Sequence, residues 1–231
     1  MPLRPLALPI ILSHTADFKI APSVLAADFL HLEKDIRLVN ECGDIIHLDV
    51  MDGTLVPNIS FGFSVIDHIA KIATAPMDVH LMVVEPQRWF KKVASEGASM
   101  CSFHYEAAKS YTSDYIAQIQ QLGMKAGVAV NPDVPISELF PFIGKADYFL
   151  VMSVFAGFGG QKFIYESLDR VAELKAEIVR RSDDALIEID GGINLSTVAA
   201  VREAGVDIAV AGSSVYGSDD PAKAIAALRS A

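Results

Sequence analysis

Imidazole and carboxylate recur at alternate positions in two apolar runs of this chain. His47 and Asp49 are two residues apart in "HLDVMDGTLVPN", and Asp78 and His80 are two residues apart in "DVHLMV". On a strand such residues point to the same side, because successive side chains alternate between faces. Met51 and Met82 continue the two phases. Neutral imidazole and carboxylate are ligands for zinc, iron, manganese or cobalt. Two His and one or two Asp converging from separate strands would hold one divalent ion and leave positions open for substrate oxygens. A lone His-x-Asp is more commonly a buried His bonded to its neighbour. The metal reading gains its weight from His47, Asp49, His80 and Asp190 all reaching one rim.

The acids also suit proton transfer. Inverting a carbon that bears an acidic C–H needs one group to take the proton from one face and another to deliver a proton to the opposite face. Asp49 and Asp190 are the candidate pair, and a metal on the adjacent carbonyl would stabilise the enediolate as a Lewis acid. Taken alone, Asp190 reads equally well as a structural acid at the Gly191–Gly192 turn. His104 and Glu106, as a lone pair, read as structural. Met51, Met82 and Met152 read by spacing as core filling.

Three glycine-bearing turns follow later apolar runs: "AGFGGQ" (156–161), "DGG" (190–192) and "AGSS" (211–214). Glycine lets backbone N–H groups approach a phosphate with no Cβ in the way. "GFGGQK" is not a dinucleotide fingerprint, since Lys162 stands where the last glycine belongs, and no GK[ST] follows for a Walker loop.

These residues need elements to carry them. Strand candidates are residues 19–23, 45–50, 77–83, 100–104, 125–131, 148–153, 186–190 and 208–211. Helical periodicity fills the intervals. Residues 28–41 place Phe29, Leu32, Ile36 and Val39 on one face with Asp28 as cap, and residues 164–181 carry a stripe of Ile164, Leu168, Val171, Leu174 and Ile178, with Glu177 and Arg181 paired on the solvent side. Eight βα units without a composition break predict a single α/β domain, a (β/α)8 TIM barrel, rather than a doubly wound sheet of five or six strands. In such a barrel the active site lies at the carboxyl ends of the strands. Ser23, His47, Asp49, His80, His104, Asn131 and Asp190 all fall there. The loops after strands seven and eight are the recurrent phosphate site.

The chain has 231 residues, 52% hydrophobic and 21% charged, enough to bury a large core. Its net charge of −10 weighs against nucleic acid as the main partner. No apolar run is long enough to span a membrane, and two cysteines outside any CxxC imply a reducing, cytoplasmic setting. Residues 1–17, "MPLRPLALPIILSHTAD", read as an N-terminal extension and residues 18–231 as the barrel domain.

Over residues 18–229 the chain resembles ribulose-phosphate 3-epimerases. The resemblance rests on "IAPSVLAADF" (20–29), "HLDVMDGTLVPNISFG" (47–62), "DVHLMV" (78–83), "GFGGQKF" (157–163) and "EIDGGI" (188–193). It implies a ribulose-phosphate-binding TIM barrel that interconverts D-ribulose 5-phosphate and D-xylulose 5-phosphate in the pentose phosphate pathway. It also implies one divalent ion on His47, Asp49, His80 and Asp190, with Asp49 and Asp190 as acid–base pair. Ser23 and His80 would contact substrate. Met51, Met82 and Met152 would border the enediolate, which revises the core-filling reading. Gly157, Phe158, Gly159, Gly160, Gly191, Gly192, Gly212 and Ser213 match phosphate and lid positions. The partner implied is a phosphorylated ketopentose, and the family forms homo-oligomers. Thr54, Phe63 and Phe155-Ala156 depart from the family's usual His, Pro and Glu-Pro. Epimerisation of allulose 6-phosphate by the same machinery is the alternative, and a non-catalytic sugar-phosphate-binding barrel is the rival from another class.

Overall fold

A computed structural model describes residues 18–231. The extension expected over residues 1–17 lies outside the described residues. Eight parallel strands form one sheet: β1 (Lys19–Pro22), β2 (Ile46–Met51), β3 (Met77–Met82), β4 (Met100–His104), β5 (Lys125–Val130), β6 (Tyr148–Met152), β7 (Leu186–Asp190) and β8 (Ile208–Ala211). They pair in the order β1-β8-β7-β6-β5-β4-β3-β2. A parallel bridge between Ser23 and His47 joins β1 to β2 and curls the sheet into a nearly closed barrel. Each strand ends within one residue of its expected bounds. Around them lie α1 (Leu32–Cys42), α2 (Phe63–Ala70), α3 (Phe90–Ser95), α4 (Tyr105–Ala108), α5 (Thr112–Gln121), α6 (Glu166–Arg180), α7 (Val198–Glu203), α8 (Ser213–Tyr216) and α9 (Pro221–Ser230). Between β5 and β6 the chain forms a 3-10 segment, Ile136–Phe142. It contains Pro141, which lacks the N–H that a regular α-helix needs.

The first helix starts four residues later than the periodicity predicts. Asp28 is not its cap. The Asp28 carboxylate instead accepts the Leu30 N–H at 3.0 Å and lies 2.7 Å from His31 Nδ1. That local turn competes with helix for the same backbone. Phe29 is left 47% exposed, with its ring against Phe61. The long helix α6 meets expectation more closely. Val171, Leu174 and Ile178 are buried on its inner face, each contributing about 1.5–3 kcal/mol of hydrophobic stabilisation. Glu177 pairs with Arg181 as expected and with Arg180 as well.

Strand phase divides the barrel. Leu48, Val50, Val79 and Leu81 point outward into the core beneath the helices. The opposite phase fills the lumen in layers. The floor is apolar, built from Ala21, Ile45, Met100, Tyr148, Leu186, Ile208 and Val210. Above it lies a buried polar band containing His47, Asp49, Asp78, His80, Ser102, His104 and Glu188. A second apolar layer, with Met51, Met82, Ala129, Leu150 and Met152, closes over part of that band.

Floor and band meet at Tyr148. Its ring occupies the space that a side chain at Gly127, its register partner on β5, would need. A Cβ there would lie 2.3 Å from Tyr148 Cζ. The phenol thereby reaches across the lumen and donates to Asp78 Oδ1 at 2.7 Å. We predict that Gly127→Ala destabilises the fold by about 1–3 kcal/mol through overpacking, seen as a lower urea midpoint at unchanged slope.

Candidate active site

Parallel register sets the site. β2 and β3 pair His47 with Asp78, Asp49 with His80, and Met51 with Met82, so the two motifs stack at matching heights. His47 Nδ1 lies 2.7 Å from Asp78 Oδ2. A proton on Nδ1 leaves Nε2 as a lone pair directed into the lumen. That Nε2 is 3.3 Å from Asp49 Oδ1, and His80 Nδ1 is 3.4 Å from the same oxygen. All three atoms are buried and have no hydrogen-bond partner. One ligand atom from each of His47, Asp49, His80 and Asp190 lies within 4.8 Å of the others.

Orphaned buried polar atoms are costly unless something satisfies them. Four ligand atoms at about 2.0–2.2 Å from a tetrahedral ion stand about 3.3–3.6 Å apart. The spacing and donor chemistry of His47, Asp49, His80 and Asp190 therefore fit a metal ion.

The remaining contacts fix these groups. Ser23 donates from Oγ to Asp49 Oδ2 at 2.5 Å, while its Oγ accepts the N–H of Leu25. Burial opposes charge on Asp49, but His47 and His80 outweigh it and hold the carboxyl below the usual range. Asp190 behaves oppositely: burial and the neighbouring Asp49 push it up to about 7. Burial, helped by His104, lowers His80 to about 4 against the pull of Asp49. Burial also resists a charge on His47, yet Asp49 and Asp78 raise its proton affinity.

The other expected residues gather above this cluster. Met51, Met82 and Met152 are buried together. The loop after β6 crosses the mouth, with Phe155 and Phe158 half exposed and Gly159 and Gly160 at its outer edge. Gln161 Nε2 donates to the carbonyls of Phe155 and Phe158, and Asn58 Nδ2 donates to that of Gly157 at 2.7 Å. Gly191 and Gly192 have φ of 120° and 65°, and side chains there would strike Val154 and the Phe163 backbone. Ser153 Oγ donates to the carbonyls of Asp190 and Gly191, tying this turn to the loop after β6. Gly212 lies beside Ser23 and Ala26, and Ser213 is exposed at the start of α8.

Sequence reasoning noted Asp78 only for its phase, placed His104 at the mouth without its contact to His80, and left out Glu188 and Tyr148. Glu188 shares the phase of Asp190, which was a usable signal. It is fully buried, 3.6 Å from His47 Nδ1, and neither of its oxygens has a hydrogen-bond partner. Burial and the nearby Asp78 push its carboxyl well above the usual range. His104, read as structural, places Nε2 2.9 Å from His80 Nε2.

With this geometry in hand, comparison with known proteins is decisive. The sequence profile of the ribulose-phosphate 3 epimerase family matches residues 19–216. The chain belongs to the ribulose-phosphate 3-epimerase family. It is 45% identical over 210 residues to the ribulose-phosphate 3-epimerase of Mycobacterium tuberculosis strain H37Rv, covering 91% of each chain. It is 43% identical over 213 residues to that of Bacillus subtilis, covering 91% of this chain and 98% of the relative. Among solved structures, a 3-hexulose-6-phosphate synthase superposes with a TM-score of 0.66 at 19% identity, over 91% of this chain and 97% of the other. That likeness speaks for the barrel alone.

We predict that Asp78→Asn, which removes the carboxylate beside His47 Nδ1, weakens divalent-metal affinity by about 10–100-fold. Competition with a chromogenic chelator measures it.

Proposed function

We propose that this protein, an epimerase by family, inverts C3 of D-ribulose 5-phosphate to give D-xylulose 5-phosphate, with Asp49 and Asp190 as the two proton carriers. The observation that carries the reading is the convergence of these two carboxyls, with His47 and His80, in one cluster at the mouth. The side chains alone bias the two apart: His47 and His80 lower Asp49 against the effect of burial, while burial and Asp49 push Asp190 up to about 7. Two titratable groups pushed apart in this way are suited to divide the roles of base and acid. The two strands also approach from different sides of the mouth, since β1 and β8 separate β2 from β7.

His47, Asp49, His80 and Asp190 would hold one divalent ion, of zinc, iron, manganese or cobalt. When bound, the ion supplies Lewis-acid polarisation of the substrate carbonyl and so acidifies the neighbouring C–H. In one direction Asp49 takes the C3 proton and Asp190 returns one from the opposite face; in the other the roles exchange. Ser23 holds Asp49 through Oδ2 and so fixes the orientation of the carboxylate, with Oδ1 turned to the metal cavity. Met51, Met82 and Met152 exclude water from the enediolate and offer it no proton, so its protonation stays with the two acids. Backbone at Gly157–Gly160, Gly191–Gly192 and Gly212–Ser213 is assigned to the substrate phosphate and its cover, with Phe158 at the lip.

This reading takes residues 18–231 as one catalytic domain, acting as a homo-oligomer in the cytoplasm. Cys42 and Cys101 are both free thiols, which suits a reducing compartment. Among the described residues no helix is long and apolar enough to cross a membrane.

The test is incubation with ribulose 5-phosphate in deuterated water. Deuterium enters at C3, and Asp49→Asn and Asp190→Asn each lower net epimerisation by at least about 10²-fold, within the range of general acid–base contributions. Unlabelled sugar together with tight phosphate-ligand binding would overturn catalysis in favour of a binding protein. A kcat/KM higher for allulose 6-phosphate would overturn the pentose assignment.

A further inference from the structure

We propose that His104 and Glu106 are positioning residues that set the tautomer of His80, so that its Nδ1 presents a lone pair to the metal cavity. The proposal rests on the metal reading above and concerns side chains that do not border the cavity themselves.

The argument starts from proton counting. His80 Nδ1 faces the cavity, and His80 Nε2 lies 2.9 Å from His104 Nε2. The two ring planes are 17° apart with centroids at 5.0 Å. With the nitrogens so close, that separation places the rings edge to edge, as an in-plane hydrogen bond requires. Two imidazole nitrogens in contact share one proton, so one donates and the other accepts. If His80 Nε2 accepted, the neutral ring would carry its proton on Nδ1 and present N–H to the cavity. If His80 Nε2 donates, Nδ1 is free to ligate.

What selects between these states is the far side of His104. Its Nδ1 lies 3.5 Å from Glu106 Oε2, and neither atom has a hydrogen-bond partner. A carboxylate there favours the proton on His104 Nδ1, which leaves His104 Nε2 as acceptor for His80. Glu106 is itself held in place, because its Oε1 accepts the Asn131 N–H at 2.9 Å. Burial works against its charge, but His104 and that N–H more than compensate and keep the carboxyl below the usual range. Asn131 Oδ1 in turn accepts the Ala156 N–H at 2.9 Å, so the carboxylate that sets His80 is anchored to the loop over the mouth.

Local sequence also favours this arrangement. His104 ends β4 and α4 begins at Tyr105, so Glu106 sits in the first turn of the element that immediately follows. The spacing His-x-Glu therefore brings the carboxylate back toward the ring without any long-range fold.

Glu106→Gln is the discriminating variant, since it is nearly isosteric. Its carbonyl oxygen still accepts from Asn131, which turns the amide NH2 toward His104 Nδ1. That donor favours a bare Nδ1, moves the His104 proton to Nε2, and drives the His80 proton onto the cavity side. Metal-stripped protein is titrated with cobalt(II) against a chelator, and the visible d–d spectrum is recorded. Wild type binds with a four- or five-coordinate spectrum, and Glu106→Gln binds about 10–100-fold more weakly with an altered spectrum. His104→Phe loses as much, whereas His104→Gln, whose carbonyl can accept from His80 Nε2, recovers most of the affinity. Urea midpoints measured alongside separate this effect from a structural one, which would move stability and leave the dissociation constant and spectrum of the folded protein unchanged. Glu106→Gln with wild-type affinity and spectrum overturns the positioning role alone. Wild type that fails to bind cobalt overturns the metal reading and this inference with it.

Discussion

The anion of Asp49 is the constraint around which the lumen is organised. A carboxylate buried at the centre of a barrel loses its hydration and must be met by partners on every side. Asp49 is only 2% exposed. The β1 end supplies Ser23 to one of its oxygens, while β2 and β3 bring His47 Nε2 and His80 Nδ1 within 3.4 Å of the other, where an ion held between them would meet the charge. Those imidazoles then need their own second nitrogens satisfied, and the requirement spreads outward to Asp78 on β3 and His104 on β4. Tyr148 on β6 meets the far oxygen of Asp78. One buried charge thus dictates residue types on four strands and at the seam where β1 meets β2.

The two apolar layers follow from the same constraint. The floor below the polar band denies water a route from the amino-terminal end, and the methionine layer above narrows the opening at the other. Between them, interactions among charges act at reduced dielectric, where they are stronger than in water. The divergence of Asp49 and Asp190 is a result. The same burial that opposes charge on both is overcome at Asp49 by two imidazoles and reinforced at Asp190 by the carboxylate opposite.

Much of this was legible in the sequence. All eight strands, the inward phase of His47, Asp49, Asp78 and His80, and the glycine turns follow from periodicity and composition, because each is a property of neighbouring residues. The start of α1 was not, because Asp28 had two local uses open to it and took the turn rather than the cap. The contact of His104 with His80 and the burial of Glu188 were not legible for a different reason. Both depend on which residues stand at equal height on other strands. That is fixed by register around the barrel, and a one-residue slip would have turned either side chain to the opposite face.

The absent side chain at position 127 has a consequence for how this barrel can vary. Gly127 and Tyr148 share a single volume, divided all to one side. In principle such a volume can be redistributed, with a larger residue on β5 and a smaller one on β6, as cores tolerate when their total is conserved. Here the exchange is blocked by chemistry, because trimming residue 148 would strip Asp78 of its donor and reach His47 through it. Gly127 is thereby held by the candidate site without contributing an atom to it, and the two positions would be inherited as one unit.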